Sequence, residues 1–236
     1  MKTRIWIGLI LLSGGLLKAQ PTVSLSLAMV DSKGVGLEKV RVVILYEPVE
    51  LDRQKPLQYP GTSDAQGLVQ FAAVEVGRYR ICAAAPDLFV LNPCEWKADV
   101  THVTASAVAQ RVPVPVKLGQ GVALRVTIED DDDVLSKNEF KSEGRVVFME
   151  LWNVTVGRTL VRPVASVVAK RKSYLAIVPK ATKFSMRVNS PGFVLEEKAS
   201  SKRVDEAGQD LEVDVLEVTK DVVLAAKGLK VVGGAK

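Results

Sequence analysis

From Val23 onward, apolar and polar residues alternate with period two, the spacing of a strand with one buried face. Val23, Leu25, Leu27 and Met29 fall on one side, with Ser24, Ser26 and Ala28 on the other. Val40, Val42, Ile44 and Tyr46 repeat the pattern after a turn at Asp31-Ser32-Lys33-Gly34. Glu47 to Pro60 breaks it with three prolines and reads as a long loop. Gly61 to Gly67 reads as a turn, and Leu68 to Ala73 and Arg78 to Ala84 as strands. In the second of these, Tyr79, Ile81 and Ala83 point inward, and Arg78, Arg80 and Cys82 outward. Asp99 to Ala109 fits a strand or a linker. Val112, Val114 and Val116 alternate with Pro113 and Pro115, which confines that run to a sheet edge, because proline lacks a ladder donor.

Lys117-Leu118-Gly119-Gln120-Gly121 marks a boundary, and the second half repeats the style. Val122 to Ile128, Arg145 to Trp152, Thr159 to Ala169, Ser173 to Val178, Phe184 to Val188 and Leu211 to Val215 are strand-like; Lys220 to Val232 is apolar-rich. Sustained helical periodicity is absent; Asp133 to Phe140 and Ala199 to Ala207 are the places where a helical turn fits. Short strands at regular spacing predict an all-β chain of two consecutive β-sandwiches, over residues 20–119 and 120–236.

Residues 1–19 carry Lys2 and Arg4, a short apolar core from Ile5 to Leu12 and a small-residue end at Ala19. This is the pattern of a secretory signal removed on export, and its apolar run is too short to serve as a stable membrane span. Its loss takes three cations with it, lowering the formal net charge from +5 to +2. A nearly neutral chain gives no electrostatic case for nucleic acid. The expected localisation is periplasmic or extracellular. In that compartment Cys82 and Cys94 are expected to form one disulfide, closing a short loop at about 3 kcal/mol of stabilisation.

Candidate chemistry is sparse. Trp96, Phe89 and Tyr59, with Trp152, are candidates for an aromatic platform for sugar or peptide, although packing beside the disulfide is the favoured role of Trp96. Asp130, Asp131, Asp132 and Asp133 offer clustered oxygens for calcium, but Val134 and Leu135 break the EF-hand order, and a solvated loop is the favoured reading. His102, the sole histidine, has the flanks of a plain strand and no nucleophile and acid placed beside it. Lys170-Arg171-Lys172 reads as a surface hairpin, and Asn153-Val154-Thr155 fits a glycosylation acceptor. No catalytic residue and no cofactor is expected.

Three motifs in the first half are similar to those of the carboxypeptidase regulatory-like domain. Asp31 to Val42 resembles its D-x-x-G-x-x-L-x-x-V-x-V opening, and Thr62 to Phe71 its T-D-x-x-G-x-F turn and strand. Val76-Gly77-Arg78-Tyr79-Arg80-Ile81 with Ala85-Pro86-Asp87 resembles its P-x-G-x-Y-x-L … A-P-G run, with Val76, Leu68 and Asp87 as departures. The pattern Tyr79, Cys82, Pro93, Cys94, Trp96 resembles a variant of such domains in exported bacterial proteins. The resemblance spans Pro21 to Leu118 and implies a transthyretin-like sandwich of seven strands that is not itself catalytic. The expected function is binding, scaffolding or envelope assembly with a protein or polysaccharide partner. A carbohydrate-binding accessory module is the alternative, and a hydrolase a more distant one.

Overall fold

The computed structural model describes residues 21–47, 57–96, 102–108, 110, 112–131, 133, 148–163, 171–189, 193–204, 210–216 and 218–228. The expected signal at 1–19, Asp132, Lys170, residues 134–140 and the end of the chain lie outside them. Among the described residues seven strands build the first sandwich: β1 (Thr22–Val30), β2 (Arg41–Tyr46), β3 (Gln58–Thr62), β4 (Leu68–Glu75), β5 (Gly77–Ala84), β6 (His102–Ala105) and β7 (Val114–Lys117). They pair as β4-β1-β7 and β3-β2-β5-β6. The period-two residues fill the space between: Leu25, Leu27 and Met29 meet Val42, Ile44, Tyr79 and Ile81 in one core. Strand β7, with Pro115 in it, runs parallel to β1 on the sheet edge, where the missing N–H breaks no ladder.

Nine strands follow: β8 (Val122–Glu129), β9 (Phe148–Asn153), β10 (Gly157–Pro163), β11 (Arg171–Val178), β12 (Thr182–Asn189), β13 (Phe193–Glu197), β14 (Arg203–Val204), β15 (Leu211–Val215) and β16 (Lys220–Gly228). Their order is β14-β13-β16-β8-β11-β10-β9-β12-β15. Laid flat, nine strands would be about 40 Å wide, yet Leu195 of β13 and Leu211 of β15 belong to one buried cluster. The sheet therefore closes on itself as a second sandwich, one layer on β8, β11 and β16 and the other on β9, β10, β12 and β15. The bend lies between β10 and β11, which among the described residues pair at Arg162↔Leu175 and Pro163↔Tyr174.

Three expectations change. The run Glu47 to Pro60 is not all loop, and Gly61-Thr62 is not a turn: Gln58–Thr62 pairs with β2. Pro60 is tolerated because β3 is an outer strand. Gly61 belongs there because a Cβ would come within 2.7 Å of Val69 Cγ1. Within Ala199–Ala207, residues 203–204 are a short strand and not a helical turn; residues 205–207 lie outside the described chain.

The two turns that open the family-like motifs lock together. Asp31 Oδ1 accepts from the N–H of Lys33 and Val35, and Asp64 Oδ1 from those of Gln66 and Leu68. Met29 N–H donates to Gly67 C=O, and Leu37 N–H to Met29 C=O, so the turns dock on β1. Gly67 takes φ +79°, and a Cβ on Gly36 would lie 2.2 Å from the Gln66 oxygen. Ser63 bolts the pair: its hydroxyl accepts from Val40 N–H at 2.9 Å and donates to Leu37 C=O at 2.6 Å. Ser63→Ala leaves the buried Val40 N–H and the half-buried Leu37 C=O without this partner and is expected to lower stability by about 1–3 kcal/mol in urea denaturation. A loss below about 0.5 kcal/mol would remove Ser63 from this role.

Candidate functional site at the disulfide-held loop

Cys82 faces outward on β5 and is bonded to Cys94, which ties the chain after Ala84 back to the sheet. Between them the chain makes a 3₁₀ turn at Pro86–Leu88 and reaches Phe89, held at φ 53°. It then turns again at Asn92, whose C=O accepts from Glu95 and Trp96 N–H and whose Oδ1 accepts from Cys94 N–H. Trp96, two residues past the disulfide, does not pack on the sandwich it comes from. Its side chain is 2% exposed and lies in the second core, 5.4 Å from the Phe184 ring. The indole N–H donates to Ile177 C=O at 3.0 Å, so the burial leaves no polar atom unmet.

The same loop closes part of the gap in the second sheet. Trp96 pairs with Gly157, Arg158 N–H donates to Glu95 C=O at 3.0 Å, and Thr159 Oγ1 donates to Glu95 Oε2 at 2.6 Å. On the other flank Leu91 N–H reaches Gly119 C=O, and Gly121 N–H reaches Phe89 C=O. A Cβ on Gly121 would lie 2.4 Å from the Val178 oxygen, so the crossing between the sandwiches needs glycine for close approach. Beside this junction lies a cavity of about 360 Å³ walled by both sandwiches, including Arg41, Ala84, Pro86, Glu95, Leu160 and Ile177.

The sequence-predicted aromatic group is not assembled. Trp96 is inside the second core, Tyr59 packs edge-on against Tyr79 at 5.9 Å, and Phe89 is 42% exposed on the loop. Trp152 is half-buried and its indole N–H donates to Asp210 Oδ2. Trp96 therefore offers no open face for stacking, because it is spent on packing. The aspartate run is divided as well. Asp130 is buried, Asp131 is exposed 3.9 Å from Lys198 Nζ, and Asp133 sits at φ 55°. Preceding Glu129 is paired with Arg171 and Lys198, so the strand end is held by ion pairs. Among the described residues no group of three or more His, Cys, Asp or Glu side chains is arranged to hold a metal ion. Asn153 Oδ1 accepts from Thr155 and Val156 N–H, so the sequon forms a tight turn between β9 and β10.

His102 lies on the outer face of the four-stranded sheet, with Nε2 3.1 Å from Glu47 Oε2. Arg80 also binds this carboxylate, at 2.7 Å, and Arg78 approaches to 3.5 Å. Burial pushes Glu47 upward, but the Arg80 hydrogen bond and the charges of His102, Arg80 and Arg78 outweigh it and hold the carboxyl below its ordinary range. Sequence reading missed Glu47, because its partners come from β5 and β6.

No family model matches the chain, and comparison with curated proteins likewise finds no match. Among solved structures it is similar to a minor pilin of Streptococcus agalactiae, at 11% identity over 90% of this chain and 99% of that one, with a TM-score of 0.38. Similar too are a streptococcal ancillary pilin (13%; 87% and 62%; 0.36) and the shaft pilin SpaA of Lactobacillus rhamnosus GG (9%; 89% and 99%; 0.31). At these values the likeness says nothing of what this chain binds or assembles with. The all-β assignment rests on the strands themselves.

Trp96→Ala is expected to cost about 3–5 kcal/mol and Cys82→Ser with Cys94→Ser about 2–4 kcal/mol in chemical denaturation. Because both act through one loop, the triple variant should lose clearly less than the sum. Losses that add within about 0.5 kcal/mol would separate the disulfide from the anchor. A folded-state carboxyl held low stabilises above the ordinary glutamate pKa and loses that contribution as pH falls through its depressed value. Wild type should thus exceed Glu47→Gln in stability at neutral pH, with the gap closing below about pH 4.3. A gap that stays constant on acidification would contradict the ion cluster.

Proposed function

We propose that this chain is an exported, non-catalytic protein of the cell envelope whose two sandwiches act as one stiff unit for binding or scaffolding. The observation that carries this reading is the disulfide-tied loop of the first sandwich with Trp96 set in the core of the second. A buried tryptophan with its N–H satisfied resists hinge motion, since opening exposes a large apolar surface and breaks its hydrogen bond. The Cys82–Cys94 bond fits an oxidising compartment. Residues 1–19 are read as the export signal, with periplasm or exterior as the destination.

On this reading residues 20–119 are a carboxypeptidase regulatory-like module and 120–236 a second sandwich module. Support for the first comes from its motif residues, which fold as two interlocked turns bolted by Ser63. The non-catalytic part is supported by His102, engaged by Glu47 within a group of arginines. A protein or polysaccharide of the envelope is the partner class, and burial of Trp96 turns the reading away from a sugar platform built on that residue.

The test is the intact mass of the protein from its native host, before and after reduction and alkylation. A chain that begins at Gln20 and gains two alkyl groups only after reduction is expected. A chain that keeps Met1 and has both thiols free would overturn the exported reading.

A further inference from the structure

We propose that the outer face of the second sandwich around Trp152 binds a neutral oligosaccharide chain, with one sugar ring stacked on the indole. The inference rests on the binding reading above and narrows its partner class to polysaccharide. Trp152 follows the buried Leu151 on β9, points outward and is half-buried, apart from both cores. In register it lies between Arg158 of β10 and Ser185 of β12, with Glu212 of β15 next in the same row. Arg158 and Glu212 are three strand spacings apart, about 14 Å. That is longer than one sugar ring, so the row suits a chain of them.

The indole is set in place before any ligand arrives. Its N–H donates to Asp210 Oδ2 at 3.3 Å, and Asp210 Oδ1 accepts from Arg187 Nε, also at 3.3 Å. Asp210 directly precedes β15, two strands from β9 and so about 10 Å away. A tryptophan bridges that distance only by lying along the sheet over β12, where the intervening outward residue is the small Ser185. Among the described residues no aromatic ring stacks on Trp152. A ring fixed in this way takes a ligand without losing rotamer freedom.

The polar groups of the face choose the ligand. Arg158 pairs with Glu150 at 3.6 Å and Lys183 with Glu212 at 2.9 Å, beside the Arg187–Asp210 pair. Lys202, bound to Asp210 C=O, and Asp214, opposite Lys183, add one charge of each sign. With these cations and carboxylates equal in number and interleaved, a polyanion or a basic peptide meets as much repulsion as attraction. A hydroxyl both donates and accepts, so it pairs with either kind of group. A sugar ring carries hydroxyls on its edge and C–H groups on its face, which match the charged rim and the indole in turn. Trp96 cannot serve in this way, because its indole is enclosed.

The experiment screens an array of neutral and acidic oligosaccharides with the full disulfide-bonded chain. Bound ones are then measured by calorimetry and by the indole N–H signals in proton–nitrogen NMR spectra. Neutral oligosaccharides are expected to dominate, with binding weakened at least about tenfold by Trp152→Ala and less by Trp152→Phe, which keeps a ring. In wild type the Trp152 indole signal should shift on titration and the Trp96 signal should not, a comparison independent of how the variants fold. An array without neutral binders, a preference for acidic glycans, tighter binding of hexalysine, or a titration that leaves the Trp152 signal in place overturns the proposal. Each of those results leaves the mass and reduction test of export to stand or fall by itself.

Discussion

Trp96 sits in a place its position in the chain does not suggest: it belongs to the core of the neighbouring sandwich and not to the core of the one that contributes it. The nine-stranded sheet has to bend to close, and from Gly157 to Val161 the described part of β10 is not paired with β11. Trp96 sits at that opening, its backbone bridged to Gly157 on one wall and its indole N–H donating to Ile177 C=O on the other. Without it the second core would be left with a large void, and such voids are costly because the lining atoms lose their partners. The disulfide makes the insertion affordable in entropy: with Cys94 fixed to β5, only Glu95 separates the anchor from a rigid sheet.

This arrangement gives the junction properties that neither sandwich has alone. Glu95 is held through both its backbone and its carboxylate by β10, and Leu91 and Phe89 are held by the strand-to-strand crossing at Gly119 and Gly121. The walls of the cavity thus come from both sandwiches. Arg41 owes its position to the register of β2 against β5, where it opposes Ala84 beside the cavity. A shift of one residue would turn its side chain to the other face.

Electrostatics elsewhere follows the same economy of placement. The outer face of the four-stranded sheet gathers Arg78, Arg80 and His102 around Glu47, and the strand end at Glu129 gathers Arg171 and Lys198. Both groups are local neutralisation on sheet surfaces, where exposed ion pairs contribute little each and gain by clustering. The aspartate run beyond Glu129 is thereby tied to the surface of the second sandwich by a lysine.

The period-two alternation by itself determined the all-β class and the inward residues of β1, β2 and β5, since a strand with one buried face has no other way to be written. The turn residues Asp31, Asp64 and Gly67 were legible too, because Asx turns and a positive φ are local demands on the chain. The expected compartment and the even number of cysteines pointed to the Cys82–Cys94 bond. Tertiary structure alone decided that Gln58 to Thr62 is a strand, since its pairing with β2 overrides a proline-rich composition. It alone moved Trp96 from packing beside the disulfide of its own module into the core of the other sandwich, and it alone brought Arg41, Ala84 and Leu160 to one cavity. Those placements depend on contacts between separated stretches of chain, from the 13 positions between Leu45 and Gln58 to the 81 between Trp96 and Ile177, and a chain read one window at a time carries no record of them.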